Sequence, residues 1–237
     1  MTDRNQTGHN ETDRTVTHRD LAADQSITGQ QDATPQPGQP RHLEPVSPRD
    51  RAVVHAQLGR PPRGTRAVAH RCPCGLPDVV ETSPRLPDGT PFPTLYYLTC
   101  PRAVSAVGRL EASGLMREMT ERLSKDPALA ARYRAAHEAY LRRRAEIEEV
   151  PEIAGVSAGG MPGRVKCLHV HLAHALAVGP GVNPFGDETR ELVGEWWRKG
   201  PCVAESDLPD ATPPPAPDAD GSDQPVPPDG TTPKEAE

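Results

Sequence analysis

All eight aromatic residues of this chain lie between Phe92 and Trp197, and all five cysteines lie between Cys72 and Cys202. Residues of these types build a packed core, so a core can form only in the middle of the 237-residue sequence. The whole-chain hydrophobic content of 35% therefore understates what the middle holds. One domain of about 150 residues is expected there. The first 46 residues are rich in Thr, Gln, Asp and Pro and show no apolar period. The stretch after Val203 carries nine of the 29 prolines. Neither end can bury enough apolar surface to offset its ordering entropy. The expected organisation is a disordered tail over 1–46, a single domain over 47–202 and a disordered acidic tail over 203–237.

Charge follows the same division. The stretch after Val203 holds nine acids against one lysine, and the first 50 residues hold eight acids against five arginines. With a whole-chain charge of −6, the central part is left at about +5. A mildly basic domain attracts small anions. The excess is too small, and the aromatics too little interleaved with basic residues, for a nucleic-acid surface. No run of about 18 apolar residues exists, which argues against a membrane span. No basic segment followed by an apolar one opens the chain, so a cytoplasmic location with reduced cysteines is expected.

Local patterns give the fold class. Ser47, Pro48 and Asp50 form a helix start, with Val53, Val54 and Leu58 as its apolar face. Three β-like runs follow, at 66–72, 78–83 and 94–100, separated by Gly/Pro turns. Tyr96 and Tyr97 point to opposite faces of the third run. Beyond Pro101 the spacing becomes helical, first through Val104, Val107 and Leu110, then through Leu115, Met116, Met119 and Leu123. Asp126 and Pro127 open a long amphipathic helix whose stripe is Leu129, Tyr133, Ala136, Tyr140 and Ile147. Its "RRR" at 142–144 reads as a solvated, salt-bridging face. Two further helices are expected at about 162–178 and 187–199. The fold class is α+β, a small antiparallel sheet followed by several packed helices.

The densest chemistry lies in "RVKCLHVHLAHALAVGPGVNPFGDE". On a helix, taking Cys167 as zero, His171 falls at about 40° and His174 at about −20°, while His169 falls at about 200°. Cys167, His171 and His174 thus share a side, which suggests a metal stripe. Thiolate and imidazole are the donors zinc prefers, and Cys72, Cys74 and Cys100 are the candidates to complete a shell with Cys167. "RCPCGLP" has one residue between its cysteines where a zinc knuckle usually has two. The same residues also fit a packed core, because free cysteine behaves as a small hydrophobe. The loop before the helix suggests another chemistry. Gly159 and Gly160 let an anion approach the backbone, the helix start offers N–H groups, and Arg164 and Lys166 add charge. His169 or His174 would then serve as acid or base, and Asn183 would contribute from the following loop. Asp78, Glu81 and Asp88 read as turn or surface acids.

The stretches "RCPCGLPDVVETSPRLPDGTPFPTLYYLTCPRAVSAVGRLEASGLM" and "SAGGMPGRVKCLHVHLAHALAVGPGVNPFGD" resemble a bacterial, mainly actinobacterial family known as domain of unknown function 501. The resemblance runs roughly from Val53 to Lys199. It implies no activity, but places emphasis on Lys166, Cys167, His169, His174 and Asn183. The family's gene neighbours imply a link to cell division or phosphate metabolism.

Three readings follow. The first is a domain that binds or converts a small anionic, phosphate-containing ligand at the Gly-rich loop. The second is a structural zinc module, on Cys72, Cys74, Cys100 and Cys167, that contacts a protein partner, with a link to division. The third is a helical adaptor whose Cys and His side chains are simply packed.

Overall fold

The computed structural model describes residues 38–208. The expected tails fall largely outside this range. Four antiparallel strands, β1 (Glu44–Pro45), β2 (Thr65–Arg71), β3 (Pro77–Thr82) and β4 (Tyr96–Leu98), form one sheet in sequence order. The helices are α1 (Pro48–Leu58), α2 (Pro101–Ala112), α3 (Leu115–Lys125), α4 (Pro127–Ile147), α5 (Leu168–Val178) and α6 (Pro184–Val193). The fold is α+β, as the pattern of the sequence predicts. No helix among the described residues is long and apolar enough to cross a membrane.

Local chemistry sets most boundaries. Ser47 Oγ accepts from Asp50 N at 3.0 Å, and Asp50 Oδ2 accepts from Ser47 N at 3.2 Å, which closes a capping box at the start of α1. Asp126 caps α4 through Leu129 N at 2.9 Å. Two expected boundaries move. Residues 161–163 form a turn and 164–167 have no regular structure, so α5 begins only at Leu168 with Cys167 as its N-cap. The last helix starts at Pro184, because Asn183 Oδ1 accepts from Gly186 N at 3.0 Å and fixes the cap there. Residues before Ser47 also pack on the domain. Arg41 N donates to Ala177 O at 3.0 Å, and β1 pairs with β2.

The core lies between the sheet and α4, α5 and α6. Tyr96, Tyr133, Tyr140, Leu168, Leu172 and Phe185 are fully buried in it. Tyr97, on the other face of β4, is half-buried and lines a cleft with Phe92 and Leu58, as strand alternation requires. α5 and α6 cross closely at Gly186. A Cβ there would lie 2.3 Å from His171 O, so only glycine admits this approach.

The arginine run of α4 is a solvated face only in part: Arg142 is exposed and Arg143 forms ion pairs, but Arg144 turns inward. Arg144 is buried, and its guanidinium donates to Pro93 O at 3.1 Å, Val156 O at 2.6 Å and Ile153 O at 2.6 Å. Arg143 grips the buried Glu81 with two guanidinium nitrogens, Nη2 to Oε2 at 2.9 Å and Nε to Oε2 at 3.1 Å. The expectation that Asp78 and Glu81 are surface acids is therefore corrected, since β3 is buried along its whole length. A buried carboxylate persists only with donors around it. Arg144→Met is expected to cost about 2 kcal/mol, because three loop carbonyls lose their donor. Chemical denaturation of the purified variant measures this, and an unchanged midpoint would exclude the clamp.

Candidate functional site

The start of α5 brings together residues from distant parts of the chain. Cys167 is extended, and its side chain caps nothing. Glu111, near the end of α2, reaches over and accepts from Leu168 N at 2.7 Å. The same oxygen lies 3.1 Å from His169 Nδ1, and Cys167 Sγ lies 3.8 Å from that nitrogen. The other ring nitrogen, Nε2, is 3.2 Å from Val104 O. Facing an acceptor on each side, both ring nitrogens carry protons, so the imidazole is cationic. The His169 pKa is accordingly raised to about 9, chiefly by the Cys167 sulfur, with the Glu111 charge adding and partial burial opposing. Glu111, Cys167 and His169 are all half-buried and form the one group of three candidate metal donors within 4.8 Å of one another among the described residues.

His171 and His174 stand apart from this cluster, and both are wholly buried. Asn183 holds them together, with Nδ2 at 3.2 Å from each Nδ1. Because Asn183 Oδ1 is occupied by Gly186 N, the amide nitrogen must face the histidines and donate to both. Each ring is then neutral with its proton on Nε2. His171 Nε2 sits 3.0 Å from Tyr133 Oη and 3.2 Å from Gly159 O, and Tyr133 Oη donates to Arg164 O at 3.0 Å. His174 stacks on Tyr96, ring centroids 5.8 Å apart, and meets the edge of Tyr140. Burial lowers the His171 pKa to about 4 and that of His174 to about 3.

The other predicted residues are dispersed. Cys72 and Cys74 sit at the β2–β3 turn, where burial pushes the Cys72 thiol up. Cys100, the N-cap of α2, lies beside Cys202, and the neighbouring sulfur, with burial, raises its thiol. Of the four cysteines expected around one zinc, only Cys167 belongs to a group of three candidate donors within 4.8 Å of one another among the described residues. The helix geometry that joined Cys167 to His171 and His174 fails because Cys167 precedes the helix and has non-helical dihedrals. Arg164 and Lys166 are exposed. Several backbone amides between the Gly-rich loop and α5 are already used. Arg164 N donates to Gly160 O, Lys166 N to Gly159 O, Val165 N to Thr120 Oγ1 and Leu168 N to Glu111. At the helix start, Leu168 N is thus occupied by Glu111 of the chain itself. His169 stands at the accessible edge, whereas His174 and Asn183 are enclosed. Glu111 escaped the sequence reading, because no local signal links it to Leu168, 57 positions away.

A four-stranded antiparallel sheet and six helices, with a Glu/Cys/His cluster where α2 meets α5, define an α+β domain. The chain belongs to the family described as "Protein of unknown function (DUF501)", whose sequence pattern matches residues 68–191. No curated protein and no solved structure matches the chain.

Proposed function

We propose that this chain is a metal-binding domain that holds one zinc-class ion between Glu111, Cys167 and His169. The observation that carries the reading is the spacing of the three donors. Tetrahedral zinc, with bonds of about 2.0 to 2.3 Å, separates a sulfur and a nitrogen ligand by about 3.5 Å and a nitrogen and an oxygen ligand by about 3.3 Å. Cys167 Sγ and His169 Nδ1 are 3.8 Å apart, and His169 Nδ1 and Glu111 Oε1 are 3.1 Å apart. Small side-chain movements close both differences. The surroundings suit the role as well. Val104 O accepts from Nε2–H, which orients the ring so that the ion would take the place of the Nδ1 proton, and Leu168 N steadies the carboxylate.

Thiolate, imidazole and carboxylate together favour zinc over the hard cations calcium and magnesium, which take oxygen donors. An ion held by three protein ligands would supply Lewis-acid chemistry at its remaining position. The reading differs from a Cys72/Cys74/Cys100/Cys167 site in its ligands, and that difference provides the test. Protein purified without a histidine tag is expected to carry about one zinc per chain by elemental mass spectrometry. Cys167→Ser and Glu111→Gln should each weaken zinc affinity at least about tenfold, while Cys72→Ser and Cys74→Ser leave it unchanged. Absence of metal, with no uptake on adding zinc, would falsify the assignment.

A further inference from the structure

Asp78 and Glu81 are the two fully buried acids of β3, and they are served differently. Glu81 is held by Arg143 and approached by Arg66 at 3.6 Å. Asp78 has a single side-chain partner among the described residues, His70 Nδ1, at 2.6 Å. Its second oxygen, Oδ2, is buried with no partner. His70 is different, for 28% of its side chain is exposed, and its Nε2 has no partner among the described residues. A buried carboxylate behind a half-exposed imidazole fixes the tautomer with the proton on Nδ1 and presents the Nε2 lone pair outward.

That imidazole lines a cavity of about 360 Å³ between β2, the end of α5 and α6. Arg41, His42, Arg71 and Arg190 line it too, against Glu44 alone among acids. Glu44 and Asp50 hold Arg71, at 2.7 Å each. Arg41 and Arg190 have no carboxylate partner among the described residues and are exposed. The placement of Arg41 is built into the fold. Its backbone is tied to Ala177 O, and its guanidinium passes over Gly179, where a Cβ would lie 2.0 Å from Nε. Gly179 has φ +87°, a conformation that glycine adopts freely. An arginine, a glycine that makes room for it, and a histidine set by a buried acid thus converge on one cavity.

We infer that this cavity is a site for a small oxyanion, phosphate or carboxylate, with His70 as its acid/base side chain. Arg41 and Arg190 supply the charge that selects the anion. His70 Nε2 accepts a proton from a hydroxyl of the bound ligand, so one O–H bond breaks and one N–H bond forms. The resulting imidazolium is balanced by Asp78. The site shares no residue with the Glu111/Cys167/His169 cluster, so either can stand if the other fails.

The test is ¹⁵N NMR of the histidine rings in the full chain, with His70→Gln to identify the signal, titrated with sodium phosphate and separately with sodium acetate. A saturable shift of His70 Nε2 with phosphate alone assigns the site to phosphate-bearing ligands, and with acetate as well or instead extends it to carboxylates. Arg41→Ala and Arg190→Ala, both surface changes, should weaken the response at least about tenfold while the other histidine signals stay in place. If His70 is unmoved by both anions, or responds equally in both arginine variants, the inference is overturned and the pair merely pins β2 to β3.

Discussion

Asn183→Ala is expected to lower the unfolding free energy by about 4 kcal/mol, the larger part of it from the two histidines. One amide does three things. Its oxygen caps α6 through Gly186 N, and its nitrogen serves His171 Nδ1 and His174 Nδ1, all in a site closed to water. Losing a cap costs about 1 kcal/mol, and each buried nitrogen left without a partner costs about 1 to 3 kcal/mol. Alanine also leaves a void where α5 and α6 are in closest contact, beside Gly186. Asn183→Ser separates these contributions, since serine restores the cap but reaches neither ring. Urea unfolding followed by circular dichroism should place Ser between Asn and Ala, nearer to Ala. A loss below about 1 kcal/mol in Asn183→Ala would show that the amide is only a cap.

The same residue shows what a sequence carries and what it withholds. Strands, helices and caps depend on neighbours within a few positions, and Ser47, Asp126 and the alternation of Tyr96 and Tyr97 were legible for that reason. The error at α5 was also local. A period of 3.6 was extended back through Cys167, although the chain turns at 161–163 and stays irregular up to Cys167. The partners of the site are set by packing between elements. Glu111 meets His169 because α2 crosses the start of α5, and Asp78 is buried because β3 lies between β2 and β4 and under α1. Neither fact is written near the residue concerned. Asn183, expected at a ligand, instead supports the histidines from within. A polar residue amid glycine and proline fits a pocket wall and a buried cap equally well.

Acidification should begin to destabilise this domain at about pH 6.5, before its carboxylates titrate. His171 and His174 have native pKa values of about 4 and about 3, lowered by burial, against about 6.5 in the unfolded chain. Above pH 6.5 both forms of the chain hold these rings neutral, and nothing is lost. Below it the unfolded chain takes up protons that the native state refuses, so stability falls with pH until the native values are reached. At about 1.4 kcal/mol for each pKa unit, the pair accounts for roughly 5 kcal/mol or more, comparable with the whole stability of many domains. Two other groups act in the same range: burial also lowers the His137 pKa and adds to the loss, and Cys202, lowered to about 6 chiefly by the neighbouring Cys100, loses its contribution as pH falls through that value. Asp50, lowered to about 2 chiefly by its hydrogen bonds with Arg71, gives up its contribution only below about pH 4. The raised His169 contributes fully below about pH 6.5 and loses its contribution as pH rises from there through about 9, so it acts only above the range in which the buried pair does. Urea midpoints measured from pH 7.5 to 4.5 should therefore fall steeply below 6.5, and His174→Leu should flatten the slope by close to one proton. A midpoint that holds steady down to pH 5 would mean that the rings accept protons in the native state, and the neutral Asn183-linked pair could not be as described.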